Sequence, residues 1–294
     1  MDQAETLRKL INVGPARNLT TQVQPRVRVI SVTSGKGGVG KTNVVANLAV
    51  HLSQLGRKVL VLDGDFGLSN LNILFGVETK RTLDDVIHNA AAIEDVITPL
   101  QCGANLISSS SGILRMTQLN AFERRRIIEA LEDSQLDFDT LLIDTGAGVS
   151  PDVAYLNSAA QDVLVVTTPE PTALADAYAL MKVMSQSYRV KRFKLLVNRT
   201  LTPRDGIGVY NHLLRVSDRF LNIQIDYLGH VPEDRKLQTS VLNKTVVSEA
   251  FPGALSSESF GNIARSVDSE ISGSAAASGQ VQFFWRRLLQ EVRV

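Results

Sequence analysis

The sequence predicts a doubly wound α/β domain, with a mostly parallel sheet and helices on both of its faces. Three observations point to it. Short β-branched runs recur with helical spacers between them; the runs are apolar at both alternating positions, as strands covered on both sides must be; and a glycine-rich turn after the first run opens a helix. The composition agrees. Of 294 residues, 44% are apolar and 21% charged. These values lie near the globular average and exclude a wholly disordered, collagen-like or membrane-embedded chain.

The elements follow in order. Residues 2–11 (DQAETLRKLI) set Ala4, Leu7, Leu10 and Ile11 at helical spacing, and Val13-Gly14-Pro15 stops that helix before a polar tether. Strands are expected at Val27–Thr33, Lys58–Asp63, Asn105–Ser109, Thr140–Asp144, Asp162–Thr168, Lys194–Asn198 and Ile225–Val231, and a helix at Asn43–Leu55. The run from Ser272 to Gly279 (SGSAAASG) reads as a flexible linker, followed by one more short helix. The expected organisation is therefore an N-terminal helix and tether over 1–25, a nucleotide-binding core over 26–271, and a linker with its helix over 272–294. No internal repeat is visible.

Thirty-one basic residues against thirty acidic ones leave a formal charge of +1. A balance so even excludes a whole-surface attraction to nucleic acid or to an anionic bilayer, though not a local one. The single cysteine, Cys102, has no partner for a disulfide or a cysteine zinc site, and a reducing compartment suits it. Neither a basic-then-apolar leader nor a run of about 18 apolar residues is present, so the expectation is a cytoplasmic protein that can still lie on a membrane.

The chemistry concentrates after the first strand. Gly35-Lys36-Gly37-Gly38-Val39-Gly40-Lys41-Thr42 fits the phosphate loop G-x-x-x-x-G-K-[ST], and Asn43 continues into the helix. Glycines allow the backbone to wrap a phosphate with its N–H groups and the helix N-terminus facing the negative charge. Lys41 is expected to reach the β- and γ-phosphates and Thr42 to ligate Mg²⁺. Two strands end in acids, Asp63-Gly64-Asp65 and Asp144-Thr145-Gly146-Ala147-Gly148. Beside a phosphate loop such acids suit Mg²⁺ and water, with Asp144 as the candidate for the metal and Asp65 for the metal's surroundings and the attacking water. Lys36 reads either as a solvated charge beside a phosphate or as a lysine that crosses to a second subunit.

The loop KGGVGKT with its early lysine, the strand end DGDFGLSN and the later DTGAG together resemble the MinD/ParA group of deviant Walker A ATPases, over most of residues 28–250. Within it, PEPTALADAYALMK over residues 169–182 and the N-terminal DQA with Leu7-Arg8 are similar to the FlhG/FleN subfamily of flagellar number regulators. The resemblance implies an ATPase active as an ATP-bound sandwich dimer, with ATP or ADP and Mg²⁺ as ligands. In it, Lys36 would contact the opposite subunit's nucleotide, Asp65 and Asp144 would be the two switch aspartates, and Asn198, followed by Arg199, would read adenine. Pro232 to Asp234 would lie over the base's other face. At Gly64 this chain departs from many relatives, which carry Ala.

For the ends, Val281, Phe284, Trp285, Leu288, Leu289 and Val292 form one apolar stripe flanked by Arg286, Arg287 and Arg293, with Phe283 beside it. Such a stripe suits a helix lying in an anionic membrane surface, as the resemblance also implies; the other reading is a helix packed on the protein's own body. For Asp2, Gln3, Ala4, Leu7 and Arg8 the resemblance implies contact with the GTPase FlhF, against simple docking on the body. It further implies flagellar switch-complex (C-ring) proteins and an enhancer-binding flagellar transcription activator as partners. The implied location is the cytoplasm for the monomer and the inner face of the cytoplasmic membrane for the dimer, with no direct nucleic-acid contact. The competing expectation is a DNA-partition ATPase, prompted by seven basic residues and no acid between Asp176 and Asp205. A phosphate-transferring kinase is a third, for which no substrate pocket is marked.

Overall fold

The computed structural model describes residues 27–65, 70–88, 90–109, 120, 122–123, 126 and 136–273. The expected N-terminal helix with Asp2, Gln3, Ala4, Leu7 and Arg8, and the expected C-terminal helix with Phe283, Phe284, Trp285, Leu288 and Leu289, lie outside the described residues.

The strands are β1 (Arg28–Ser34), β2 (Val59–Gly64), β3 (Ile97–Pro99), β4 (Asn105–Ile107), β5 (Thr140–Ala147), β6 (Asp162–Thr167), β7 (Arg192–Thr200) and β8 (Gln224–Pro232). They form one sheet in the order β3-β4-β2-β5-β1-β6-β7-β8. All neighbours run parallel except β3, which pairs antiparallel with β4 at the edge. β3 is the strand that periodicity does not reveal, because three residues ending in proline carry no alternation, and proline is tolerated at such an edge. The helices are α1 (Lys41–Gln54), α2 (Leu71–Leu74), α3 (Leu83–Ile87), α4 (Pro151–Ala159), α5 (Pro171–Ser187), α6 (Pro203–Phe220), α7 (Arg235–Leu242), α8 (Val247–Ala250) and α9 (Leu255–Gly273). Helical backbone thus continues to Gly273, past the boundary expected after residue 271.

Alternate residues of each strand feed opposite cores. Ile30, Val32, Leu164 and Leu196 pack beneath α1 and α9, with Val44, Leu48, Phe260 and Ile263. Val29, Leu60, Leu141 and Ile143 face α3 and α4, while Val165, Leu195 and Val197 face α5 and α6. Burial on both faces explains why the strands read as continuous apolar runs. α6 starts with a reciprocal cap, in which Thr202 N–H donates to Asp205 Oδ2 at 2.7 Å, and Pro203 occupies its first turn where no N–H is needed.

α9 runs the height of the sheet. Its first turn meets the end of β8 through Ser256, and its last turn is held at the start of β7, where Glu270 pairs with Lys194; Asp268 meets Arg57 at 2.5 Å. The far end of α9 therefore lies at the opposite rim of the sheet from the phosphate loop.

Candidate functional site

The site grows from the carboxyl ends of β1, β2 and β5. After β1, the Ser34 hydroxyl donates to the Lys36 carbonyl at 2.7 Å and tightens the turn. Gly38 and Gly40 adopt φ of 76° and 97°, the left-handed region that glycine enters without penalty. Gly35 is required for a different reason, since a Cβ there would lie 2.1 Å from the Asp176 carbonyl of α5. A Cβ at Gly40 would lie 2.4 Å from Asn198 Nδ2. α1 begins at Lys41 with no side-chain cap, so its first N–H groups face outward for an anion.

Asp63 and Asp144 stand side by side in the β2–β5 register, both buried. Asp63 accepts from the N–H groups of Asp65 (3.2 Å), Asn70 (3.2 Å) and Leu71 (3.4 Å), so it shapes the turn that presents Asp65. Asp65 approaches the second acidic loop, its Oδ1 being 3.8 Å from where a Cβ on Gly146 would stand. That loop is tied to the phosphate loop by Gly148 N–H donating to the Ser34 carbonyl at 2.8 Å. Burial, with the Asp63 charge adding to it, raises the Asp144 carboxyl to about 7, against the opposing Thr42 hydrogen bond and Lys41 charge. Burial lowers Lys41, an effect partly offset by Asp144 and Asp65. Asp144 Oδ1 is buried with no hydrogen-bond partner.

The family model described as ParA, NUBPL iron-transfer P-loop NTPase, matches residues 26–268. The antiactivator FleN of Pseudomonas aeruginosa is 40% identical over 264 residues, 90% of this chain and 94% of FleN. This chain belongs to the MinD/ParA family of P-loop ATPases, in the FleN/FlhG branch. The flagellum site-determining protein YlxH of Helicobacter pylori is 30% identical, with 98% of each chain covered. Among solved structures, the septum site-determining protein MinD of Pyrococcus horikoshii, complexed with Mg-ADP, superposes with a TM-score of 0.67 at 26% identity, over 85% of this chain and 100% of that one.

Within this MinD/ParA fold the phosphate loop continues into a cleft of about 420 Å³. Gly40, Asn43, Asn198 and Arg199 line it together with Pro232 to Asp234 and α7. Asn198 is buried; its Nδ2 donates to the Val39 carbonyl at 2.7 Å and its Oδ1 accepts from Arg199 N–H at 2.9 Å. The amide therefore keeps one further N–H to donate and one further lone pair to accept with. Arg199 bulges from β7 at φ 55°. Asp234, also at the cleft, engages its carboxylate within the protein, accepting from Lys236 N–H at 2.8 Å and from the Ser256 N–H and hydroxyl at 3.0 and 2.8 Å. Lys36, half exposed, donates within its own chain to Glu170 Oε2 and Thr172 Oγ1, both at 3.1 Å.

The structure thus gathers Gly35 to Asn43, Asp65 and Asp144 at one place and Asn198, Arg199, Pro232 and Asp234 around the adjoining cleft. Asp63, Glu170, Thr172 and Ser256 belong to the same surroundings without having been assigned roles from sequence. Asp63 had a signal, as the first acid of DGD; Ser256 had none. The basic stretch is dispersed. Lys194 is buried against Glu270 and Asp162, Arg192 meets Asp226 at 3.5 Å, and Lys191 donates to Ser185 Oγ at 3.1 Å, all at the opposite end of β7 from Arg199.

Proposed function

We propose that this protein hydrolyses ATP as a nucleotide-sandwiched dimer that cycles between cytoplasm and membrane, and that it restrains flagellar number and placement. The observation that carries the chemistry is the meeting of Lys41, Thr42 and a buried, incompletely bonded Asp144 beneath one glycine loop. Such a set fits Mg²⁺: hydroxyl and carboxylate oxygens suit a hard cation, and Asp144 Oδ1 lacks a partner that a metal-bound water would supply. When bound, Mg²⁺ would neutralise phosphate charge and favour ionised Asp144.

The loop N–H groups and Lys41 hold the phosphates, Thr42 and Asp144 hold the ion, and Asp65 orients the attacking water. Asn198 supports adenine as the base. Its remaining N–H and lone pair match the N7 acceptor and amino donor of adenine, whereas guanine presents two acceptors on that edge. Lys36 contacts the second subunit's nucleotide, which requires it to leave Glu170 and Thr172.

The flagellar role follows the likeness to FleN and YlxH. In it, the N-terminal segment with Gln3 stimulates FlhF, and the C-terminal segment with Phe283, Phe284, Trp285, Leu288 and Leu289 binds anionic lipid. Switch-complex proteins and an enhancer-binding activator are the further partners. No helix among the described residues is long and apolar enough to cross a membrane. The test is threefold: Mg-dependent ATP turnover of wild type and Asp144→Ala, liposome sedimentation with ATP and with ADP, and flagella per cell after Asp65→Ala. Turnover insensitive to Asp144→Ala would overturn the chemistry, equal sedimentation in both nucleotides the switch, and a normal flagellar count the regulatory role.

A further inference from the structure

We infer that Asp234 is a positioning residue which straps the base-facing wall to α9 and makes no contact with the base itself; the inference rests on the nucleotide reading of the cleft. Both carboxylate oxygens are engaged within the protein. Oδ1 accepts from Lys236 N–H and caps α7, while Oδ2 accepts from the Ser256 N–H and hydroxyl at the start of α9. Ser256 is fully buried, so turning the carboxylate toward a ligand would strand two donors away from water. The Ser256 and Lys236 bonds also hold the Asp234 carboxyl below its usual range against the opposing effect of its partial burial.

The position of this strap gives it its consequence. Asp234 stands between Pro232 and Glu233 of the cleft wall and α7, which supplies Leu237 and Val241 to the same wall. α9 packs along α1, the helix that opens with Lys41, so closely that a Cβ on Gly261 would lie 3.3 Å from His51 of α1. A second tie runs parallel to it: Asn47 of α1 accepts from the Ser248 N–H (3.0 Å) and hydroxyl (2.7 Å) on α8. The wall that faces the base is thereby referenced to the helix that faces the phosphates. Fixing that separation sets how well a nucleotide bridges both, while the reacting phosphate remains in the hands of other residues.

Ser256→Ala and Asp234→Asn separate the functions. The first deletes only the hydroxyl donor; the second keeps an oxygen for the α7 cap but presents an amide to the Ser256 donors. The expected result, from steady-state ATPase assays and titration with a fluorescent ATP analogue, is a three- to tenfold rise in KM and in analogue Kd for each (a range of about 0.7 to 1.4 kcal/mol at 0.59 kcal/mol per RT), with kcat changed far less. Thermal melts are run alongside. A fall in melting temperature with unchanged KM and Kd would make the strap merely structural and overturn the inference, as would a loss confined to kcat. Lys41→Ala serves as the reference: if it binds the analogue like wild type, the nucleotide reading itself fails, whereas loss of binding there with wild-type affinity in the other two sinks the strap alone.

Discussion

Asp144 bears opposite demands in the empty and the loaded protein. A carboxylate buried beside Asp63 is costly to keep charged, and its Oδ1 has no partner. Asp144→Asn is therefore expected to raise the melting temperature of the nucleotide-free protein by a few degrees, on the order of 1 kcal/mol. The same change is expected to lower ATP turnover by roughly 10²-fold or more, since an amide holds an ion poorly. Calorimetry and an ATPase assay on one preparation measure both. Lys36 carries a second conflict, because its ammonium is already engaged by Glu170 and Thr172. An exposed ion pair contributes about 0.2–1 kcal/mol, and two are lost when two subunits exchange lysines. Glu170→Gln is thus expected to tighten the ATP-dependent dimer by a factor of roughly 2 to 30. Sedimentation velocity with a non-hydrolysable ATP analogue reads the change, and a weaker dimer would mean that Glu170 acts across the interface.

At the scale of the element, the phosphate loop and α5 form one unit. Gly35 touches the Asp176 backbone so closely that no side chain fits, and neither partner is a flexible tip that can retreat. Gly35→Ala is expected to cost on the order of 3 kcal/mol in stability, read by chemical denaturation, and to abolish nucleotide binding. The loop itself was legible because its spacing is the chemistry. The other seven strands were legible because burial on both faces leaves an unbroken apolar run. β3 was not, since it is only partly buried and ends in proline, and neither was the Asp234–Ser256 strap, which joins residues 22 apart through a contact that only the fold creates. At Gly64 a Cβ would stand 2.8 Å from Leu156 Cδ1 and 3.0 Å from the Asp144 carbonyl, a closeness that only the fold reveals.

For the whole molecule, the clamp on α9 separates two tasks. The candidate nucleotide site lies at one rim of the sheet, whereas α9 ends at the other, held by Lys194 and Glu270. Removing residues 274–294 is expected to leave ATP affinity and the melting temperature of the body nearly unchanged while eliminating ATP-dependent liposome sedimentation. Glu270→Ala tests the clamp directly. It leaves buried Lys194 with Asp162 at 4.0 Å as its remaining ion-pair partner, and an expected loss of about 1–3 kcal/mol is measurable by denaturant titration.

The two edges of the sheet have a bearing on how copies of the protein meet. β3 is three residues long and closes on Pro99, which has no N–H to offer; β8 is interrupted where its register with β7 slips near Leu228 and Gly229. Short, kinked or proline-ended borders discourage strands of separate molecules from zipping together. Among the described residues the sheet thus offers a poor template for extension from molecule to molecule, which suits the proposed dimerisation through nucleotide rather than through strands.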